Sequence, residues 1–438
     1  MSFGKKYQNK HSCFIGVCGI FAFNKNAFAL NQYHIKKQFG EFNEKIALAS
    51  SKSESNRALI INALTDFKSD LQNLSSARDT QTMIRLLQSD EDTADVLDAG
   101  TTMRFLTAYF TVTNQQKIMT GTPRMCERPI GLLVDALREI GADIEYINKE
   151  GYPPLKIKGL TTQKTDKIKI RGDVSSQYIS ALLMISPKLE KGLEIELTGE
   201  IGSIPYITMT IRQMEASGIK VSADWENKTL KVEPQNYQPI SYRIESDWSG
   251  ASYWYAVVAL AENPNSKLEL LGLKENSLQG DSAIVEIMAQ LGVKSTYTEE
   301  GVLLEKIAPA ATFSWDFAHC PDLTQTVAVI LAGLKIDGEF TGIESLKIKE
   351  TDRVLALQNE LKKLGAELVE VETNHKYKVT HFFETTGVPV IDTYDDHRMA
   401  MAFAPIAMKR DVIIEEPGVV AKSYPSYWED MKKIVEIN

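Results

Sequence analysis

Two rhythms alternate along this chain: apolar positions at helical spacing, then apolar positions at every second residue. Four stretches carry both in the same order: "ALREIGADIEYINKEGYPPLKIKG", "QMEASGIKVSADWENKTLKVEP", "IMAQLGVKSTYTEEGVLLEK" and "ELKKLGAELVEVETNHKYKVT". Each closes an amphipathic helix, passes a glycine and continues as two alternating strands around a polar turn, so one face of each strand is buried. The glycines, Gly141, Gly218, Gly292 and Gly365, are spaced by 77, 74 and 73 residues. Each suits the position just past a helix, where a positive φ is required. A period of this length marks a repeated supersecondary unit.

Between the copies, "KIKIRGDVSSQYISALLMI", "YRIESDWSGASYWYAVVAL" and "FSWDFAHCPDLTQTVAVILAGL" each read as strand, polar loop and apolar helix. The composite unit is βαβαββ, and a shortened copy fits "TQTMIRLLQSDEDTADVLDAG". Strands near Tyr33–Lys37 and Glu44–Ala49 lack a helix, while the terminal helix "YPSYWEDMKKIVEI" lacks its strands. Joining the two ends completes six units in two sets of three. The expected domains are residues 31–50 plus 246–438, and an inserted domain of residues 51–245, with a hinge near residues 50 and 245.

A chain of 438 residues has room for two such domains. Its net charge of −9 argues against nucleic acid and anionic membrane as partners. Local clusters of cations therefore stand out. Cys13, Cys18, Cys126 and Cys320 show no paired metal spacing, which fits a reducing, cytoplasmic setting. In the first thirty residues Lys5, Lys6 and Lys10 precede "CFIGVCGIFAF", roughly the shape of a signal peptide. That run is too short to span a bilayer, and polar Asn24-Lys25-Asn26 follows it. An irregular extension over residues 1–30 is expected.

The charge that matters sits at helix starts. In "ALASSKSESNRALIINAL", Lys52 and Arg57 flank a helix start, where the helix itself favours anions. Read by itself, this is a start capped by Ser53 with Glu54 in the first turn. Read with the other junctions, it is half of an anion site. "AGTTMRFL" offers Gly100, Thr101 and Arg104; "GTPRMCERPIGLL" offers Arg124, Glu127 and Arg128; "GDVSSQY" offers Ser175, Ser176 and Gln177. "SLKIKETDRVLAL" adds Lys349, Glu350, Asp352 and Arg353; "DTYDDHRMAMAFA" adds Asp395, Asp396, His397 and Arg398; Lys422 precedes the last helix. Asp322, after Pro321, reads locally as an N-cap. Repeat topology can bring equivalent junctions to one face, where they would bind ligands with several anionic groups.

The stretches "SKSESNRALI", "DAGTTMRFL", "PRMCERPIGLLVDAL", "GDVSSQYISALLM", "IKETDRVLAL", "DTYDDHRMAMAFA" and "AKSYPSYWEDM" resemble, in order, the motifs of the 3-phosphoshikimate 1-carboxyvinyltransferase (EPSP synthase) family. The resemblance runs over roughly residues 44 to 435 and implies an α/β fold: a two-domain inside-out α/β barrel, each domain three βαβαββ repeats. It implies transfer of the enolpyruvyl group of phosphoenolpyruvate to the 5-hydroxyl of shikimate 3-phosphate, releasing phosphate, in aromatic amino-acid biosynthesis. No metal or organic cofactor is implied, and a monomer is expected.

By this resemblance Lys52, Ser53, Arg57, Ser175, Ser176, Gln177, Ser203, Asp322 and Lys349 hold shikimate 3-phosphate. Lys52, Gly100, Arg124, Gln177, Arg353, Arg398 and Lys422 hold phosphoenolpyruvate. Among the catalytic candidates, which also include Lys52, Asp322 is the expected base near the hydroxyl; Glu350 and Lys422 are both candidates for handling the methyl proton. The sequence departs from the family pattern at Asp98, where Asn is usual, at Phe105, at Trp248-Ser249-Gly250 and at Ser345. The sister enzyme acting on a UDP-aminosugar carries a reactive cysteine near the Arg-Pro pair; Cys126 reads as incidental. Because ligand residues fall in both domains, the cleft is expected to be open without ligand and to close on it.

Overall fold

The repeat is built as the hydrophobic pattern requires. In the computed structural model, which describes residues 32–173 and 175–438, Thr93–Asp95, Lys117–Thr120, Leu155–Gly159 and Asp143–Tyr146 lie side by side in that order. The first two strands are parallel and the rest antiparallel. A parallel pair needs a crossover, supplied by the helix Gly100–Val112. The helix Gly131–Ile140 then leads into the closing hairpin. The same order recurs in Lys167–Arg171, Leu193–Thr198, Thr229–Val232 and Ser222–Asp224. It recurs again in Thr312–Asp316, Asp337–Thr341, Lys376–Thr380 and Glu367–Glu372. Gly365 shows why the helix ends on glycine: φ is +86°, and a Cβ would stand 2.1 Å from the Phe383 carbonyl oxygen.

One expected pairing is corrected. The strand before "SDWSGASYWY", Ser241–Arg243, does not open its own unit's sheet; it runs parallel to Asp70–Gln72. Its place beside Lys267–Leu271 is taken by Asn43–Ala47. The two connections thus exchange their first strands. Where they cross, Ser50 faces Ser246 in an antiparallel bridge. Ser51 N donates to Glu245 O and Asp247 N to Ala49 O, both at 2.8 Å. Alternation says which face a strand buries, not which neighbour it pairs with.

The ends meet as the unit count requires. Gln32–Ile35 pairs antiparallel with Val412–Glu415, itself parallel to Val390–Ile391. The terminal helix is shorter than its pattern: it spans Tyr427–Met431, and the chain then turns back so that His34 N donates to Asn438 O at 2.9 Å. The N-terminal extension expected over residues 1–30 lies outside the described residues.

Sheets lie outside and helices inside. Every residue of the helix Trp248–Leu260 is buried, as is nearly all of Thr324–Leu334, Gly100–Val112 and Ser176–Ile185. A helix apolar all round must be enclosed, and the sheets enclose these. Buried apolar side chains form two clusters, one drawn from Ile35–Leu48 and Trp248–Val435, the other from Leu59–Tyr237. Helix starts from both clusters open toward one cavity between them.

Candidate active site

The helix Lys52–Ala63 is capped by Ser51, whose hydroxyl accepts from Glu54 N at 3.3 Å, and not by Ser53. The shift leaves Lys52 and Ser53 in the first turn, lining a cavity of about 140 Å³. Arg57, one turn on, is 2% exposed. It donates to Thr210 Oγ1 (2.7 Å), Ser53 O (2.9 Å) and Ser180 Oγ (3.2 Å), all neutral. Arg104 is likewise buried and donates to the carbonyls of Gly100 (3.0 Å) and Pro129 (2.8 Å). Burial draws both guanidinium pKa values down to about 10, with Arg128 adding repulsion at Arg104. Arg128 lines the same cavity, and its buried Nε has no partner. Among the described residues, none of these three has a carboxylate at ion-pair distance. Three cations held around one cavity without counter-charge define an anion site.

The opposite wall is matched in charge. Arg353 donates to Asp396 (2.7 Å), Glu350 (2.8 Å) and Asp322 (3.0 Å). Arg398 reaches the other Asp322 oxygen at 2.7 Å. Asp322 lies in the turn Pro321–Leu323 ahead of the helix Thr324–Leu334, and its carboxylate bridges two arginines instead of capping backbone. Burial pushes that carboxyl up, but Arg398, Lys349 and Arg353 outweigh it and hold it far below the usual carboxylate range. Glu350 behaves alike: burial is overcome by Arg353, Lys422 and Arg128. Lys349 is drawn down by burial. Lys422 is pulled down by burial but raised overall by Glu350, Asp79 and Asp98. His397, with both ring nitrogens unpartnered, is held neutral by burial and by the nearby Lys52 and Arg398; its 3.7 Å approach to Asp396 is therefore no ion pair.

Hydroxyl and amide donors complete the rim. Ser175 caps Ser176–Ile185 through Gln177 N at 3.3 Å, and Gln177 Nε2 donates to Thr101 Oγ1 at 3.1 Å. Ser203 sits at φ +54° before Ile204–Ala216 and donates from its backbone to Ala318 O at 3.1 Å. That bond crosses the cleft, and so do those of Arg124 and Lys422. The two walls therefore touch across the cleft.

Most expected residues converge on the cavity: Lys52, Ser53, Arg57, Gly100, Ser175, Ser176, Gln177, Ser203, Asp322, Lys349, Glu350, Arg353 and Arg398. Arg124 does not. It lies on the short helix Pro123–Cys126 with its side chain 49% exposed. It pairs with Glu127 and donates to the carbonyls of Glu350 (3.1 Å) and Lys349 (3.3 Å). Arg128, on the following turn, does line the cavity. Lys422 stands just behind the wall, 2% exposed, on Asp98 at 2.8 Å. The list expected from sequence omitted Arg104, Arg128, Tyr206 and His397, though three of these sit in the quoted junctions. Cys126 faces Gly121 O and is not among the cavity residues.

A sequence model of the family described as EPSP synthase (3-phosphoshikimate 1-carboxyvinyltransferase) matches residues 36–89 and 88–431. The chain belongs to the EPSP synthase family. A 3-phosphoshikimate 1-carboxyvinyltransferase of Bacteroides fragilis is 50% identical over 391 residues, 89% of this chain and 94% of that one. Another, from Cellvibrio japonicus, is 37% identical over 425 residues, covering 89% and 96%. The solved EPSP synthase of Acinetobacter baumannii superposes with a TM-score of 0.71 over 93% of this chain and 99% of that one; at 18% identity it speaks for the fold, the two-domain α/β architecture of EPSP synthases. Among the described residues no helix is long and apolar enough to cross a membrane, and no three or more His, Cys, Asp or Glu residues group as metal ligands.

Proposed function

We propose that the cavity between the two cores is where this EPSP synthase transfers the enolpyruvyl group of phosphoenolpyruvate to the 5-hydroxyl of shikimate 3-phosphate. The observation that carries the site is the set of three guanidiniums without carboxylate partners, Arg57 and Arg104 buried and Arg128 half-buried, facing a carboxylate, Asp322, held ionised. Each substrate brings a phosphate and a carboxylate, and Arg is the better bidentate partner for both.

Shikimate 3-phosphate docks on Arg57, Lys52, Ser53, Ser175, Ser176, Gln177 and Ser203, with Asp322 and Lys349 toward its ring hydroxyls. Phosphoenolpyruvate docks on Gly100, Arg128, Arg353, Arg398 and Lys422, with Lys52 and Gln177 between the two ligands. Arg128 replaces Arg124 in this assignment because it lines the cavity. The methylene carbon gains a proton, the 5-hydroxyl attacks the neighbouring carbon, and the resulting tetrahedral ketal loses a methyl proton and expels phosphate. Asp322 accepts the hydroxyl proton. Lys422 enters protonated and Glu350 ionised, so Lys422 is the proton donor to the methylene and Glu350 the group poised to take a proton back.

We assign the hinge to the strand exchange, near residues 50 and 245, between residues 31–50 plus 246–438 and residues 51–245; the bridge of Ser50 to Ser246 supports this reading. A monomer in the cytoplasm that binds neither nucleic acid nor membrane fits the charge balance. Titration calorimetry with shikimate 3-phosphate tests the site: binding is expected in wild type and lost in Arg57→Ala, and equal binding by both would remove Arg57 from it. Small-angle scattering tests the hinge, with saturating substrates expected to leave a population more compact than the free protein.

A further inference from the structure

Lys422 ends the turn Pro417–Lys422 in one half of the cleft. Its ammonium reaches across to Asp98, just ahead of the helix Gly100–Val112 in the other half. Nζ lies 2.8 Å from Asp98 Oδ2 and 3.2 Å from the Asp98 carbonyl oxygen, and Glu350 Oε1 stands 3.5 Å away. Two of the ammonium protons therefore already have acceptors on Asp98, and Glu350 lies within ion-pair distance. The same Asp98 oxygen accepts from Arg78 Nη2 at 2.8 Å. Lys422 is 2% exposed and Asp98 19%, so water screens the pair little. Burial pushes the Asp98 carboxyl up, yet Lys422 and Arg78 hold it below the usual range, so it is an anion at neutral pH.

From this geometry we infer that Asp98 is a positioning residue: it holds Lys422 across the cleft and offsets part of its charge, and so sets how tightly the lysine can hold an incoming phosphate or carboxylate. The inference rests on the reading of Lys422 as part of the phosphoenolpyruvate site. An arriving anion finds an anion resident beside the lysine at the same helix start. It must share the ammonium with Asp98 rather than capture it. Arg78 enters as a third party, since every share of Asp98 that it takes is released from Lys422.

Two substitutions move the balance in opposite directions. Asp98→Asn keeps the shape and an oxygen acceptor for Lys422 but removes the charge. Arg78→Met leaves Asp98 to Lys422 alone. A purely structural role for Asp98 predicts loss in both. Binding of inorganic phosphate is measured by calorimetry on the folded protein saturated with shikimate 3-phosphate, which occupies the other phosphate site. Asp98→Asn is expected to tighten phosphate by about three- to thirtyfold, as loss of one charge near an anion does at intermediate dielectric. Arg78→Met is expected to weaken it by about two- to fivefold, the smaller effect of a half-exposed charge. The affinity for shikimate 3-phosphate stays unchanged in both, and adding Lys422→Met to Asp98→Asn abolishes the gain. Unchanged or weaker phosphate binding in Asp98→Asn overturns the inference, as does a shift of the same sign in both variants. If Lys422→Met in the wild-type background leaves phosphate binding untouched, the reading of Lys422 itself fails and the inference falls with it.

Discussion

Gly100 and Arg128 are fitted to each other: a Cβ at residue 100 would stand 2.8 Å from Arg128 Nη1 and 2.9 Å from Nη2, with Arg104 Nη1 at 3.0 Å. These atoms are the tips of flexible side chains, so Gly100→Ala folds, but both guanidiniums must withdraw from the cavity wall. The expected outcome is a rise of about tenfold or more in KM for phosphoenolpyruvate, the scale of a small misplacement in a positioned site. Binding of shikimate 3-phosphate should barely change. Steady-state kinetics with each substrate varied in turn checks this; an unaltered KM for phosphoenolpyruvate would show that Arg128 is not its partner.

Arg124 and Arg128 can be separated directly. Arg128→Ala removes a cavity cation and should weaken phosphoenolpyruvate by about 2–5 kcal/mol, much of it from leaving an anionic group unpaired. Arg124→Ala removes an exposed ion pair and two contacts to carbonyls across the cleft. Exposed pairs contribute about 0–1 kcal/mol, so a much smaller loss is expected, shared by both substrates. The reverse order of severity in calorimetric titrations would restore Arg124 to the site.

Asp247 carries a pH signature in stability. Its carboxylate caps the helix Trp248–Leu260, accepting from Gly250 N at 3.2 Å. Burial raises its pKa to about 6, against the pull of Arg398 and Lys52. Unfolded, it titrates near 3.9. Between these values the unfolded chain gives up the proton first, so this group's contribution to stability falls as pH rises from about 4 to 6 and stays low above. Asp247→Asn can still cap but cannot titrate. Relative to wild type it should gain stability across that window, by up to about 2–3 kcal/mol, and then level off. Urea unfolding of both proteins at a series of pH values checks it; a difference that does not vary with pH would remove the burial argument.

Asp322→Asn should separate binding from chemistry. The variant keeps the shape of the side chain between Arg353 and Arg398 but cannot accept the hydroxyl proton. Turnover is expected to fall about a hundredfold or more while shikimate 3-phosphate still binds. Since wild-type Asp322 stays ionised to low pH, its titration should not shape the pH–rate profile near neutrality. Near-normal turnover in the variant would move the base elsewhere, with Glu350 next.

What could be read from the sequence was what is local. Gly141 and Gly365 betray the repeat because a helix end needs positive φ whatever surrounds it, and Lys52, Arg353 and Arg398 stand out because cations at helix starts need an explanation. Partner choice is not local. The strand Ser241–Arg243 has the right alternation for its own unit, yet crosses to Asp70–Gln72 because the two connections exchange. Arg124 and Arg128 share one loop and one residue type; only the short helix Pro123–Cys126 decides which turns inward. Tyr206 lies inside a helix, Ile204–Ala216, whose apolar pattern hides a polar edge. Ser51 caps in place of Ser53 because neighbouring serines are chemically equivalent, and the fold selects the one beside the crossing.

The most direct test of the account is phosphate release by the purified protein, followed continuously with shikimate 3-phosphate and phosphoenolpyruvate supplied singly and together. Release is predicted only with both substrates present, in step with formation of the enolpyruvyl product. It should not occur when a UDP-aminosugar replaces shikimate 3-phosphate. A folded protein that binds both substrates yet releases no phosphate, or one that releases it equally well with the aminosugar, would contradict the assignment.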